Sequence, residues 1–408
     1  MVWMPFRSSK ALAGWLAGYM YLGGAELYSP ATVFVFLTLT LGTCVSLRSK
    51  HINSTSTDVA NLTMKARLLI LLCLASKAFS WGELGHRTVG YLAQMYFTPE
   101  AENLFDELVH PTESFDISDG AVWADDWATQ TRMPWSKPWH YIDAKDNPPK
   151  KCKVNFNADC DPDKKCIVTA IANMTKRVNN PRLKLGDQSN ALKFLLHFLG
   201  DITQPLHTEQ KCRGGTKLMV QWGAADSRKE DLHQVWDKLI IQKLRGYKKP
   251  RDADPDNEYD KQLSVKWAAD LKKRLDVGRG GVDVSDQCTN ITKAQECALA
   301  WASEANAFIC TYVLKDVGIN LGPDPCETCC NWEWRGPDDL SDAYYRGAVP
   351  IVEEQVAKAG WRLGQWINAL AEQRVQMKRA GVEFGRSGGH GDEAMKVQMQ
   401  PDQPKVET

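Results

Sequence analysis

No excess of positive charge runs along this chain: its 408 residues hold 50 Lys and Arg against 50 Asp and Glu. Residues 1–80 take seven of the basic residues but only Glu26 and Asp58, so residues 81–408 carry 43 basic and 48 acidic groups, a net of −5. A protein that holds a polyanion by charge alone is strongly basic, and that class is excluded. Any affinity for phosphate must come through bound cations. Strand-like runs are also scarce, with residues 216–222 the best of them, which argues against a mainly β fold. No internal repeat is found, which excludes a solenoid. Histidine is rare at eight residues, so where each one falls carries information.

Cysteine is not scarce. Two of the twelve, Cys44 and Cys73, lie in the first 80 residues, and ten lie between Cys152 and Cys330. That density suits an oxidising compartment better than cytosol. The acceptor sequons at Asn173 and Asn290 agree with it, though each alone is a weak signal. Residues 64–80 start basic, continue as an apolar run and end with Ala78 and Ser80 at the −3 and −1 positions for a cut before Trp81. This is the pattern of a signal peptide whose natural start is Met64. Residues 1–63 are then an upstream extension of uncertain status or a second targeting element. The apolar stretch 31–47 is slightly short for a membrane span, and an uncut anchor is the lesser reading.

From Trp81 onward the periodicity is mostly helical. Residues 99–109 follow a Thr98 cap with Pro99 at the first position. Residues 191–202 are rich in Leu and Phe and read as a buried helix, and residues 231–243 repeat apolar groups at helical spacing. Residues 293–314 and 345–371 are long helical runs, the second with Pro350 as an expected kink. Residues 316–342, rich in Pro, Gly and Cys, read as a cross-linked loop. The domain is expected over 81–375, and residues 376–408 read as a polar, disordered tail.

The chemistry lies in how His and Asp are placed. His197 and Asp201 are four apart on one helix, which puts both side chains on one face within reach of one ion. His233 and Asp237 repeat that spacing. His207 follows shortly after the first pair, His140 sits in Trp139-His-Tyr-Ile-Asp143, Asp125 in Val122-Trp-Ala-Asp125, and His86 five residues after Trp81. A lone pair at this spacing is commonly a surface pair. Two pairs, with three more histidines in apolar settings, are not easily explained that way. Asp201 ends a largely apolar run, and a buried charge needs a partner. Imidazole with carboxylate and no thiolate suits zinc in a hydrolytic site. His51, His110 and His390 fall in the leader, an exposed turn and the tail, and read as background.

Five motifs, Trp81-Gly-Glu-Leu-Gly-His86, Trp123-Ala-Asp125, His140-Tyr-Ile-Asp143 with its Asn147-Pro-Pro, His197-Phe-Leu-Gly-Asp201-Ile-Thr-Gln-Pro-Leu-His207 and His233-x-x-x-Asp237, occur in this order and resemble the S1/P1 nuclease family. The resemblance spans residues 81–368. It implies a mainly α fold, a single helical domain of the phospholipase C/P1 nuclease type with a trinuclear zinc cleft. By motif, the first of three zinc ions takes Asp125, His140, His197 and Asp201. The second takes His207, His233 and Asp237. The third takes His86, Asp201 and the amino nitrogen and carbonyl oxygen of Trp81, an amine that exists only after the leader is cut. Asp125 and Asp201 would act in catalysis through water activated by the metals, leaving 5′-phosphate products. Tyr141 would stack a nucleobase and Asp143 would accept hydrogen bonds from its edge; the bland reading of Tyr141 is a core aromatic. Many members carry Arg three residues after the Asp125-type ligand, where this chain has Ala128, and Arg132 and Lys137 are the candidates to replace it.

The resemblance also implies the bridges Cys152–Cys310 and Cys160–Cys166. Cys288 and Cys297 can close a local loop, and the pairing of Cys212, Cys326, Cys329 and Cys330 stays open. The expected protein is a secreted, monomeric endonuclease acting on single-stranded DNA and RNA, with mononucleotides as further substrates through a 3′-nucleotidase activity and no stable membrane association. Two rivals are a zinc phospholipase C, which has Glu at the Asp237 position, and a secreted nucleotide-binding protein with weak chemistry.

Overall fold

The computed structural model describes residues 81–109, 116–129, 134–161, 163–224, 229–248, 254, 257–277, 281–315 and 339–385. The leader, Arg132, the tail beyond 385 and most of the expected loop at 316–342 lie outside the described residues. What is described is mainly helical. Strand is confined, among the described residues, to β1 (Met219–Val220) paired antiparallel with β2 (Glu230–Asp231). Of that pair, β1 sits inside the run 216–222 that reads as strand in the sequence and β2 lies beyond it.

Helix α1 (Gly82–Gln94) follows directly on Trp81, and α2 (Pro99–Leu108) starts as its sequence dictates. Thr98 Oγ1 accepts the Ala101 N–H at 3.3 Å, and Pro99 costs nothing where no intrahelical N–H is needed. Helices α3 (Ile117–Thr129), α4 (Phe156–Asp159) and α5 (Ile167–Val178) follow, then α6 (Leu185–Asp201). Every residue of α6 from Ala191 to Asp201 is buried. A helix that is apolar all round must be enclosed, and α6 is flanked by α1, α2, α3, α5 and the C-terminal helix.

The chain then runs through a 3₁₀ turn (Pro205–Thr208) to α7 (Leu232–Gln234), a π turn (Val235–Leu239) and α8 (Ile240–Leu244). Helices α9 (Glu258–Asp276) and α10 (Ala294–Phe308, continued by a π turn, Ile309–Val313) precede α11 (Ala343–Arg379). Pro350 lies within α11 without ending it. The boundary expected at 375 falls inside this helix. Arg374 reaches Glu107 Oε1 at 2.8 Å and Gln188 Oε1 at 2.9 Å, Lys378 reaches Glu107 Oε2 at 2.8 Å, and the Phe384 ring stacks on the Arg374 guanidinium. Those tertiary pairs hold the last turns in place. No described helix is long and apolar enough to cross a membrane.

Five tryptophans, Trp81, Trp236, Trp267, Trp301 and Trp366, are fully buried. Burying an indole is favourable when its N–H finds an acceptor, and Trp81 donates to Thr203 Oγ1 at 2.9 Å, Trp236 to Tyr344 Oη at 2.9 Å and Trp366 to Thr175 Oγ1 at 3.0 Å. Cys152–Cys310, Cys160–Cys166 and Cys288–Cys297 are disulfides, and Cys212 is disulfide-bonded as well. The first bridge joins residues 158 apart. By chain entropy alone a loop of that size is worth on the order of 4–5 kcal/mol, more than either short bridge. Asn290 is exposed at the cap of a 3₁₀ turn (Ile291–Lys293), whereas Asn173 lies inside α5 with its Oδ1 buried.

Candidate metal centre

Eight side chains from seven segments converge in three clusters: His86, His197 and Asp201; Asp125, His140 and His197; His207, His233 and Asp237. All are buried. Helix α1 delivers His86, α3 Asp125, the 3₁₀ turn Pro134–His140 its last residue, and α6 both His197 and Asp201. The turn Pro205–Thr208 brings His207, α7 brings His233, and the π turn brings Asp237. Asp201 is the hub. Its Oδ1 lies 3.2 Å from both His86 Nε2 and His197 Nε2, and its Oδ2 lies 2.9 Å from His140 Nδ1. Asp125 Oδ1 stands 3.4 Å from His197 Nε2 and 3.7 Å from His140 Nδ1. The rings of His86 and His197 stack 3.9 Å apart. Gly200 permits this, since a Cβ there would meet His86 Nδ1 at 2.9 Å.

Hydrogen bonds on the far side of three rings decide their tautomers. His197 Nδ1 is 2.7 Å from the Ala121 carbonyl, His207 Nδ1 is 2.7 Å from the His140 carbonyl, and His233 Nδ1 is 2.6 Å from the Gly214 carbonyl. A carbonyl can only accept, so each Nδ1 carries a proton, and in the neutral ring each Nε2 presents a lone pair to the cluster. Those Nε2 atoms, with His86 Nε2 and Asp201 Oδ1, are buried and without a hydrogen-bond partner. His233 Nε2 then faces Asp237 Oδ2 at 3.2 Å, lone pair against carboxylate. Acceptors converging in a buried space are repulsive unless a cation sits among them. The donor set therefore fits metal.

The charges agree. Burial pushes His207 down to about 3, so its ring is neutral at ordinary pH. Burial raises Asp237 well above the usual carboxylate range, with the Gln204 amide opposing; Gln204 Nε2 donates to Asp237 Oδ1 at 2.6 Å. Burial also opposes ionisation of Asp201, but His197, His140 and His86 outweigh it and hold its pKa well below normal.

Residues 81–372 match the family model for S1/P1 nuclease. The chain belongs to the S1/P1 nuclease family. It is 35% identical over 292 residues to nuclease P1 of Penicillium citrinum, covering 71% of this chain and 97% of that protein. It is 31% identical over 313 residues to nuclease S1 of Aspergillus oryzae, covering 74% and 96%. To endonuclease 2 of Arabidopsis thaliana it is 29% identical over 315 residues, 74% and 93%. The protein is thus a nuclease, a hydrolase acting on phosphodiester bonds of nucleic acids, and its family implies metal-dependent catalysis. The phospholipase reading is set aside.

In this S1/P1 nuclease Trp81 is fully buried beside His86, its Cδ1 3.9 Å from the position of a Gly200 Cβ and its carbonyl accepting the Gly85 N–H at 3.1 Å. Tyr141 and Asp143 are both half-buried on the extended segment that leaves His140. That segment is stitched on two sides: the Tyr141 carbonyl accepts from Ile167 N at 2.9 Å, and Ile142 N donates to the His207 carbonyl at 2.9 Å. The stitching ties the segment to the turn that carries His207. Burial pushes Asp143 up to about 6; Lys145 opposes this, and Asp159 and Asp161 add to it. Lys137 is exposed on its 3₁₀ turn. Sequence reasoning did not anticipate Gln204, which is fully buried and caps the turn Pro205–Thr208 while holding Asp237. An amide inside a motif gives no sign of which residue it will meet.

Proposed function

We propose that this nuclease is a secreted zinc enzyme that cuts single-stranded DNA and RNA to 5′-phosphate products and also acts on 3′-phosphates of mononucleotides. The observation that carries the metal reading is the set of buried Nε2 lone pairs pointed at carboxylates. Asp125, His140, His197 and Asp201 would hold one ion, and His207, His233 and Asp237 a second. His86 and Asp201, with the amine and carbonyl of Trp81, would hold a third. When bound, the ions lower the pKa of a water and neutralise phosphate charge, which an acidic domain cannot do by itself.

The chain's own groups set the geometry. Asp201 joins two clusters through its two oxygens, and Asp125 holds its place between His140 and His197. The carbonyls of Ala121, His140 and Gly214 keep three imidazoles in the tautomer that binds metal. Tyr141 offers a face on which a base can stack, and Asp143, once ionised, accepts hydrogen bonds from the base edge. The Trp81 amine becomes available only when the leader is removed, which links processing to activity. The disulfides and the exposed sequon at Asn290 support an extracellular site, and the protein is expected to act as a monomer.

Single-strand preference follows from the platform. A paired base must leave the stack first, at a few kcal/mol. Stacking on an aromatic ring returns about 1–3 kcal/mol. Cleavage of single- and double-stranded oligonucleotides by wild type and Tyr141→Ala, with chelator and after zinc is restored, tests the reading. Chelator should abolish activity and zinc restore it. Tyr141→Ala should shrink the single-to-double-strand rate ratio by roughly 5- to 150-fold, the range those stacking energies allow. Chelator-resistant cleavage overturns the metal reading, and an unchanged ratio overturns the platform.

A further inference from the structure

Four successive residues after His207 adopt positive φ: Cys212 at 49°, Arg213 at 54°, Gly214 at 58° and Gly215 at 81°. Glycine takes this backbone freely, whereas a residue with a Cβ is disfavoured there. Gly214 has its reason, since its carbonyl accepts from His233 Nδ1 at 2.6 Å and a Cβ would meet the Leu206 oxygen at 2.6 Å. Cys212 is fixed by its disulfide. Arg213 has neither reason. Its backbone N–H donates to the Gln210 carbonyl at 2.8 Å, and its carbonyl accepts from Thr216 N at 3.2 Å and Thr216 Oγ1 at 3.0 Å. A glycine would make all three bonds without strain. A strained position is a pointer to function when the side chain explains it.

The Arg213 side chain is exposed and, among the described residues, makes no hydrogen bond or ion pair. The turn is tied to the segment that carries Tyr141 and Asp143 through Gln210 N, which donates to the Ala144 carbonyl at 3.3 Å, one residue past Asp143. Through Gly214 it is tied to His233. Arg213 therefore stands on a turn that is bonded both to His233 and to the segment that carries Tyr141 and Asp143. The nearby Lys145 has its Nζ engaged by the Ala158 carbonyl at 2.8 Å. A guanidinium in that position suits the planar, doubly accepting edge of a phosphodiester.

We propose that Arg213 forms a phosphate-binding subsite beside the segment that carries Tyr141 and pairs there with a phosphodiester of the bound single strand. This rests on the single-strand nuclease reading above. Arg213→Gly removes the charge and relaxes the turn, and Arg213→Lys keeps the charge. Both are compared with wild type as zinc-loaded enzyme, by binding a hydrolysis-resistant single-stranded phosphorothioate oligonucleotide across a salt series and by kcat and KM on a cleavable one. One lost phosphate contact lowers the slope of log affinity against log salt by about 0.7, equal to roughly eightfold in affinity between 1 M and 50 mM salt. Arg213→Gly should show that loss and a raised KM, with kcat close to wild type and a thermal midpoint at or above it. Arg213→Lys should recover the slope. Wild-type slope and affinity in Arg213→Gly refute the subsite alone. Wild-type enzyme that neither binds nor cuts single strands refutes the parent reading and the subsite with it.

Discussion

Replacing Gln204 by Ala should loosen one metal and leave the others. Gln204 is fully buried and acts at both ends: Oε1 accepts the Leu206 N–H at 2.6 Å, and Nε2 donates to Asp237 Oδ1 at 2.6 Å. It thus caps the turn that carries His207 and orients Asp237, two of the three ligands of one cluster. Without it a buried N–H loses its acceptor, at about 1–3 kcal/mol of stability. Asp237 also loses the bond that aims its second oxygen. Removing such a partner of a ligand typically costs 10–100-fold in metal affinity, about 1.4–2.8 kcal/mol. Gln204's side-chain hydrogen bonds reach none of His86, Asp125, His140, His197 or Asp201, and its backbone N–H bond to the Asp201 carbonyl survives the substitution, so the effect should not spread to them. Folded Gln204→Ala and wild type, equilibrated against buffers of graded free zinc, are assayed for bound metal per chain. One ion should leave the variant at 10–100-fold higher free zinc than in wild type, with the other two released as in wild type. Wild-type release of all three would show that Gln204 does not orient Asp237. Loss of all three together would show that it is a general structural residue, and either result refutes the reasoning.

Asp201→Asn should lose two ions, because Asp201 faces His86, His140 and His197 at once; a folded variant that keeps three by metal analysis removes the bridging role. One extra residue before Trp81 turns its amine into an amide, and metal analysis should then show a lost third ion with a large fall in activity; full activity with the extension verified by mass takes Trp81 out of the site. Asp143, raised to about 6 from 3.8, should accept from a base only when ionised, so single-strand affinity falls as pH drops through about 6, and Asp143→Asn should flatten that profile. The same shift has the opposite sign for folding: the stability it contributes is full below about 3.8 and is lost as pH rises through about 6. A denaturation series over that range in wild type and Asp143→Asn checks it, and parallel curves would contradict the shift.

The parts of this structure that could be read from the chain are those in which local spacing already brings the chemistry together. His197 and Asp201 share a helical face four residues apart, and Thr98 before Pro99 announces α2. The long apolar run before Asp201 requires a buried helix, and the buried helix requires a partner for its charge. Where two distant segments must meet, spacing is silent. His233 and Asp237 were legible as a pair, but the π turn that carries Asp237 also seats Trp236 against Tyr344, more than a hundred residues away. The helical run read over 345–371 stops short of the end of α11 at Arg379, because Arg374 and Lys378 find Glu107 only in the folded chain. Arg213 belongs to no motif and no periodic run, and its left-handed backbone shows only in the folded turn. The metal centre shows the limit most sharply. Residue types reveal which side chains could bind an ion, but not which nitrogen of each imidazole would do so. That choice is made by the carbonyls of Ala121, His140 and Gly214, and a backbone carbonyl is the same group whatever residue carries it. Its identity cannot be read from a sequence, only its position from a fold.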